Sequence, residues 1–466
     1  MSHLPIRSNA ETSDTPQPGE PMHSPQTPIL IDDVAINRFH QKLTLSACIG
    51  WTMVGYIVSV IGVATIPIST ALGLSGNEQG MVAAMELLGV FFGGFVGGWL
   101  TGRFGRRKPY FMGPSIILLV SLSMYWVDSS HAMAVLRVMS GLAVGIEYTS
   151  AGSLLTEFLP QKSRGSRLSL LTVMWFVGAA LAYIAGNVVL ETWGQGAWRH
   201  IMASPAILAA TMLLLRLGAP ESPRWLLSKG RRDEAERVIR KIYGPAFSLR
   251  NIGEEASMRK MTFLNAIRAG YGKRIFFVIV FWACAVVPMF ALYAFVPRLF
   301  AALHLTGAMA SYGSMAITLL LALGCMIATW LINFIGRRTL IINSFLWSGL
   351  GLLGLGLFPN APGWLVLALF GLYALFIGGA QVLEIVYPNE LFPTEIRTAA
   401  VGVGASLAAL SSSAGTWLVP VSLEMIGIGN TMLVAAAITF LGLIVSLLLA
   451  PETASLSLEE AASLKG

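Results

Sequence analysis

Apolar residues occur in long runs along the chain, and short polar stretches separate these runs. A run needs about 20 residues to cross a bilayer as a helix. In lipid, a single segment satisfies its own backbone polar groups only when it is helical. We therefore predict an all-α membrane protein with twelve transmembrane helices, over residues 44–67, 79–101, 110–127, 132–155, 167–190, 199–218, 275–298, 307–332, 339–358, 363–387, 398–420 and 428–450.

Polar segments divide the twelve predicted helices into two sets of six. Residues 1–30 contain six prolines and no apolar run, which predicts a disordered tail rather than a signal peptide. The predicted order then continues with a six-helix bundle over 31–218, a polar linker over 219–274, a second bundle over 275–450 and a tail over 451–466. Within the linker, RRDEAERVIRKIYG has the apolar spacing of a short amphipathic helix.

Composition and charge agree with a membrane protein and predict its orientation. Hydrophobic residues make up 55% of the chain and charged residues 12%, whereas soluble domains carry roughly 25% charged residues. Basic residues concentrate in the connections after predicted helices 2, 4, 8 and 10, while the opposite connections hold only Arg199 and Arg298. The positive-inside rule makes the basic face and both termini cytoplasmic. No nucleic-acid module accompanies this basicity.

Short motifs repeat at a separation of nearly half the chain. EFLPQKSR, from Glu157 to Arg164, returns 233 residues later as ELFPTEIR, from Glu390 to Arg397. Two further separations are 231 residues, between Gly105 and Gly336 and between Pro220 and Pro451. A shared separation indicates parallel repeats related by an axis along the membrane normal, with substrate bound between them.

The repeated charges are placed unfavourably as isolated groups. Glu157 and Glu390 stand in the last turn of a predicted helix, where an acid opposes the helix dipole by about 0.3–1 kcal/mol. Arginines near the same surface suit these acids as bidentate partners; solvated loop charges are the alternative. We predict a cytoplasmic gate that holds this face shut, formed by Arg103, Arg106, Arg107, Glu157, Arg164, Glu221, Arg337, Arg338, Glu390, Arg397 and Glu452.

The motifs resemble those of the major facilitator superfamily, and within it the sugar-porter-like branch of bacterial metabolite:proton symporters. GRFGRRK, PESPRWLLSKGR, VYPNELFPTEIR and the terminal PET carry the resemblance, which covers residues 40–453. It implies the major facilitator fold, in which two pseudo-symmetric six-helix bundles rock against each other around one substrate site.

Three positions depart from the pattern of these relatives. The first cytoplasmic motif usually has an aspartate where Gly102 stands, and the second copy has Asn333. Many relatives carry an aspartate just before Gly-Tyr in helix 1, where this chain has Val54. The glutamines expected in helices 5 and 7 of sugar porters are missing, which argues against a hexose as substrate.

Four ionisable residues lie well inside predicted spans, where each costs roughly 2.5–3.5 kcal/mol on insertion scales and marks a candidate functional site. Glu86 and Arg137 lie at similar depth, which predicts an ion pair between them. The resemblance places an acid at Glu147 in many relatives and puts Glu384 on a helix that lines the cavity. All four are candidates for proton coupling, with Glu147 first, and a permanent ion pair or hydrogen bond is the alternative.

Aromatic and amide side chains inside the spans are candidates for contact with an organic solute, because rings with a polar tip suit such pockets. Packing or contact with lipid is the alternative for each ring. Pro288 is expected to let helix 7 bend, as a gate or as a fixed kink. The candidates are Tyr56, Tyr148, Trp175, Tyr183, Asn187, Phe290, Tyr293, Gln381 and Trp417.

The function expected from these features is secondary active transport of a small organic solute by alternating access, with proton symport. An uncoupled facilitator and a substrate sensor with the same fold are the alternatives. The chain contains no P-loop and no catalytic or metal-ligand spacing, so we predict no enzyme activity, cofactor or metal. Its expected partners are the solute, protons and the lipid bilayer, not nucleic acid, and a monomer is expected.

Overall fold

The computed structural model describes residues 30–31, 33–252, 267–305, 308–392 and 394–454. Nearly all of the predicted N-terminal tail, most of the C-terminal tail and the middle of the linker lie outside these ranges. The described residues form helices and turns, and no strand occurs among them. The predicted all-α fold is therefore confirmed.

The first half of the molecule begins with a helix whose N-cap is Asn37, and the Asn37 side chain accepts a hydrogen bond from the backbone N–H of His40. Serine side chains cap the N-termini of the second and fourth helices in the same way. The helices are α1 (Arg38–Leu72), α2 (Gly76–Phe104), α3 (Arg107–Ser123), α4 (Ser130–Phe158), α5 (Gln161–Trp193), α6 (Trp198–Ala203) and α7 (Pro205–Arg216).

The sixth predicted span is broken into α6 and α7. Pro205 begins α7 and has no backbone N–H to continue the helix from α6. Two short helices follow in the linker, α8 (Pro223–Ser228) and α9 (Arg232–Tyr243). The second half contains α10 (Gly272–Ala302), α11 (Ala308–Ile335), α12 (Arg337–Leu357), α13 (Gly363–Leu391), α14 (Thr394–Met425) and α15 (Gly427–Leu449).

Eleven spans in the described ranges are long and apolar enough to cross a membrane. Helix α14 contains the eleventh predicted span, 398–420; it has 32 residues but is not one of those eleven. Hydroxyl groups at Ser411–Ser413 and Thr416 lower its apolar content. Its length still exceeds the roughly 20 residues that a bilayer requires.

The two halves repeat the same packing. Helix α1 packs on α5 as α10 packs on α14, and α2 packs on α4 as α11 packs on α13. The contact between α2 and α4 is close because Gly93 and Gly141 face the partner helix. A Cβ atom on Gly141 would lie 1.9 Å from the Glu86 carbonyl oxygen.

Helix α9 has the predicted amphipathic pattern, with Ala235 and Ile239 buried. It packs against the first half, where the Asn37 side chain donates a hydrogen bond of 3.0 Å to the Ile242 carbonyl. We call the surface that carries α8 and α9 the linker face. The opposite surface, where α2 begins and α14 ends, is the far face.

Contacts between the halves run mainly through α2 with α14, α5 with α11 and α1 with α10. The Ser413 hydroxyl of α14 donates a hydrogen bond of 3.0 Å to the Ala84 carbonyl of α2. Gly80 lies so close to α14 that a Cβ atom there would come 2.1 Å from the Trp417 carbonyl oxygen. Both contacts lie toward the far face, where the halves are closely joined.

Candidate functional site

Glu86 and Arg137 form the predicted ion pair, and both side chains are buried. The Arg137 guanidinium also donates to the carbonyls of Ile57, at 3.3 Å, and Val82, at 3.4 Å. The Ser140 hydroxyl donates to Glu86 at 3.2 Å. The pair thus ties α4 to α1 and α2.

A small cavity beside this pair lies between the two halves. Its walls include Glu86 and Arg137 from the first half and Phe290, Tyr293 and Thr416 from the second. The cavity volume is about 10 Å³, which is room for roughly one water molecule. An organic solute does not fit there while the far face is closed.

Glu147 is held by a partner that sequence reasoning missed. Arg216, the last residue of α7, forms a bidentate ion pair with it, and both side chains have 0% exposure. The guanidinium also lies 3.6 Å from the ring centroid of Tyr110. This arrangement corresponds to the permanent ion pair that was the alternative to proton exchange at Glu147.

The environment of the Glu384 carboxyl group differs from those of Glu86 and Glu147, which are both paired with arginines. The Glu384 side chain is partly exposed and accepts a hydrogen bond of 2.9 Å from Gln381, and the Trp282 indole lies nearby. No cation within the described ranges pairs with it. Tyr148 of the first half and Cys325 of the second are both within electrostatic range of Glu384.

Four aromatic candidates meet where the halves join. Trp175 lies 5.9 Å from Phe290 and 6.4 Å from Tyr293, measured between ring centroids, and the Tyr183 ring lies 5.5 Å from Tyr293. Trp175, Tyr183 and Tyr293 are buried, and Phe290 is half-buried. In this conformation the cluster seals the far side of the interface.

The Tyr183 hydroxyl donates a hydrogen bond of 2.6 Å to the backbone carbonyl of Tyr293. That carbonyl lacks its usual helical donor, because the residue four positions later is Pro297. Phe295 has non-helical angles (φ −127°, ψ 15°). The residue with non-helical angles in α10 therefore lies two positions before Pro297. The bend expected at Pro288 stays a prediction.

Two further polar contacts join the halves near the far face. The Trp417 indole donates a hydrogen bond of 2.8 Å to the Asn77 side chain. Arg298 bonds to Gln79 across the interface and to Glu424 at 3.1 Å within its own half. Trp417 thus contributes to closure of the far face in this conformation.

Other solute candidates lie elsewhere. Tyr56 is buried, and its hydroxyl makes a 2.7 Å hydrogen bond with Ser204 inside the first half, so it does not line the interface cavity. Tyr148 is half-buried, with its ring 4.9 Å from that of Trp51. Asn187 is half-buried on α5.

The predicted gate pairs are present in both halves. Arg106 forms an ion pair of 2.7 Å with Glu157, and Arg337 forms one of 2.7 Å with Glu390. Glu221 accepts from the backbone N–H groups of Arg106 and Arg107, at 2.8 and 3.3 Å. In the second half, Glu452 accepts from the backbone N–H groups that follow Gly336 in the same way, at 2.9 and 3.0 Å.

In this conformation neither of these two ion pairs joins the halves to each other. That they hold the cytoplasmic face shut stays a prediction. Each pair joins helix ends of one half, α2–α3 with α4 or α11–α12 with α13. Arg103 is exposed and lies over aromatic rings instead of joining a gate pair. Arg338 donates its side chain to the Leu447 carbonyl at 3.0 Å. The side chains of Arg164 and Arg397 lie outside the described part.

Sequence reasoning missed three residues that shape the site. Arg216 lies near the end of the predicted sixth span and was not considered, although a cation there needs a partner if it is buried. Trp282 lies in the predicted seventh span, and only its indole N–H signals a need for an acceptor. Pro297 is visible in the sequence as a second proline of the same helix.

Comparison with known proteins places this arrangement in a family. A family model described as sugar (and other) transporter matches residues 43–464. The chain is 36% identical to the putative metabolite transport protein YaaU of Escherichia coli K12, covering 93% of this chain and 97% of that protein. It is 32% identical to the inner membrane metabolite transport protein YgcS of the same organism, covering 94% and 98%.

Among solved structures, the partially occluded inward-open xylose transporter XylE of E. coli has the same fold. The TM-score is 0.78 and the identity 21%, covering 90% of this chain and all of XylE. The family model and the two relatives match the chain over both halves. The chain therefore belongs to the sugar (and other) transporter family of the major facilitator superfamily and is a membrane transporter, not an enzyme.

Proposed function

We propose that this protein imports a small organic metabolite across the inner membrane together with a proton. The observation that carries the proposal is Glu384, a partly exposed carboxyl group in a membrane-spanning helix that has only neutral donors around it. A bare negative charge is costly inside the bilayer. Such a carboxyl group is suited to take up a proton when its access to water changes.

The solute is proposed to bind between the halves on the linker side of the aromatic cluster. Gln381 and Glu384 supply hydrogen-bonding groups there, and Tyr148 and Trp282 supply half-buried rings. This combination suits a small metabolite with hydroxyl groups that can stack on aromatic faces. The linker face is then cytoplasmic, and its two sets of ion pairs keep each half rigid while the halves rock.

The relatives support the proposal. YgcS is described as an inner membrane protein, and XylE is described as a proton:xylose symporter. Uncoupled facilitation is the competing function, because Glu86 and Glu147 are both bound to arginines and Val54 is buried where many relatives are expected to have an acid.

Uptake into proteoliposomes tests the two functions. Labelled sugars, sugar acids, aromatic acids and organic cations are each offered with and without a pH gradient that is alkaline inside. Symport predicts that one class accumulates above equilibrium only with the gradient, whereas equal uptake in both conditions identifies a facilitator.

The Glu384→Gln variant then tests the proton site. We expect it to lose gradient-driven accumulation but to keep exchange of labelled for unlabelled solute, since exchange needs no net proton movement. Accumulation at the wild-type level in Glu384→Gln would exclude this residue. A solute that binds without any flux in the wild type would identify a sensor.

A further inference from the structure

Helix α2 presents a stripe of exposed aromatic side chains toward the lipid near the linker face. Phe92, Phe95 and Trp99 are 49%, 55% and 57% exposed, and their spacing places them on one side of the helix. Phe104, at the end of the helix, is 40% exposed. Aromatic rings at the end of a span lie at the level of the lipid headgroups.

Two cations lie over the end of this stripe. The Arg103 guanidinium is 5.7 Å from the Trp99 ring centroid and 5.8 Å from that of Phe104, and the Lys108 ammonium is 5.9 Å from the Phe104 centroid. We call Trp99, Arg103, Phe104 and Lys108 the basic–aromatic cluster. Both cations are exposed, and neither forms an ion pair with an acid in the described ranges.

The two acids near the basic–aromatic cluster, Glu157 and Glu221, already have partners. Glu157 is bound to Arg106, and Glu221 accepts from the backbone N–H groups of Arg106, Arg107 and Ser222. The cluster therefore has a surplus of positive charge beside an apolar, lipid-facing surface.

The second half provides an internal comparison. Trp330 stands 231 residues after Trp99, but Phe334 and Thr339 occupy the positions that correspond to Arg103 and Lys108. Trp330 is 65% exposed and packs on Phe334, with ring centroids 4.9 Å apart. The repeat thus keeps the lipid-facing tryptophan without the two cations, so the fold itself does not require them.

We propose that the basic–aromatic cluster binds the headgroup phosphate of an anionic phospholipid, with the acyl chains along the Phe92–Trp99 stripe. Arginine and lysine are the usual ligands of phosphate groups. Basic residues next to a span attract anionic lipids. The exposed rings are the reason to assign a lipid and not a free phosphate, which has no apolar part to cover them.

Native mass spectrometry of the full-length protein, with phosphatidylglycerol and phosphatidylcholine in competition, measures the binding. We expect one phosphatidylglycerol to bind preferentially. The Arg103→Gln/Lys108→Gln variant should weaken its binding roughly thirtyfold, the effect of removing two charges near an anionic lipid. Unchanged binding in this variant overturns the proposal. Equal competition by soluble glycerol phosphate also overturns it, because that result identifies a free phosphate site.

Two matched experiments separate binding from damage to the fold. Gly102 is exposed, and a Cβ atom there meets nothing within 4 Å, so Gly102→Asp places a carboxylate beside Arg103 without a clash. It should weaken phosphatidylglycerol binding, while the uncharged Gly102→Asn should not. Phe334→Arg/Thr339→Lys should create a second site. If aspartate and asparagine behave alike, or no second lipid binds, the charge argument fails.

Discussion

The Tyr183 side chain of one half donates a hydrogen bond to the Tyr293 backbone of the other half, at a carbonyl that Pro297 leaves free. The bond is 2.6 Å long and buried. A helical irregularity in the second half is thus used to hold the first half in place.

Tyr183→Phe should loosen the far face. A neutral hydrogen bond contributes about 0.5–1.5 kcal/mol, so we expect a roughly fivefold rise in far-face opening. The measurement is labelling of Ala83→Cys, which lines the interface cavity, by an impermeant maleimide in an otherwise unchanged chain. The native cysteines are buried.

Tyr56→Phe is the control for this experiment. The Tyr56 hydroxyl bonds to Ser204 inside the first half, at 2.7 Å, so its loss should leave the labelling of Ala83→Cys near the wild-type rate. Equal labelling in Tyr183→Phe and the wild type would show that the hydrogen bond does not stabilise closure.

Gly80→Leu should prevent closure of the far face, because its side chain would meet the Trp417 backbone. Overpacking costs about 1–3 kcal/mol, and we expect Ala83→Cys labelling to rise roughly tenfold while net uptake falls. Gly94→Leu on the same helix is the matched control, since a Cβ atom there meets nothing within 4 Å. Similar labelling in the two variants would contradict the assignment of Gly80 to the closure.

Glu147→Gln should destabilise the first half strongly, because it leaves the Arg216 charge buried without its partner. Breaking such a pair costs about 3–5 kcal/mol, and a large fall in the thermal unfolding midpoint is expected. The double variant Glu147→Leu/Arg216→Met removes both charges and should recover much of the loss. If the double variant is no more stable than Glu147→Gln, the ion pair is not the source of the effect.

The C-terminal segment should lose stability in acid through Glu452. Partial burial opposes ionisation, but the backbone N–H groups of Arg337, Ala454, Arg338 and Thr453 outweigh it and lower the pKa of this carboxyl group. The lower pKa in the folded state means that the stabilisation is present above the unfolded-state pKa and is lost as pH falls through the folded-state pKa.

The stabilisation by ionised Glu452 is measured by thermal unfolding of the wild type and of Glu452→Gln, from neutral pH to pH about 3. Carboxyl groups titrate within this range. The wild type should be the more stable at neutral pH, and the difference should shrink as the pH falls. A difference that does not change with pH would exclude the titration of Glu452 as its cause.

The fold was predictable from sequence because membrane helices follow from the length of each apolar run, and the repeated motifs give the two halves. The break between α6 and α7 at Ser204–Pro205 also has a signal in the sequence, because Pro205 stands inside an apolar run. The similar depth of Glu86 and Arg137 was enough to predict their ion pair. In each of these cases the information is local or depends only on position along a helix.

The partner of Glu147 could not be found in this way. Arg216 lies 69 residues from Glu147, and their contact depends on how α4 and α7 pack against α3. The closure of the far face also could not be predicted from the sequence. The gate motifs are present in both repeats and carry no information about the relative position of the halves. The partners of Trp417 and Tyr183 became visible only in three dimensions.

The gate pairs also bear on the origin of the molecule. Arg106, Glu157 and Glu221 make their contacts within one repeat, and Arg337, Glu390 and Glu452 do the same in the other. A single ancestral copy would therefore have possessed the complete set of bonds before the gene was duplicated. Duplication then had to add the contacts between the copies, such as the hydrogen bonds from Tyr183 to Tyr293 and from Ser413 to Ala84.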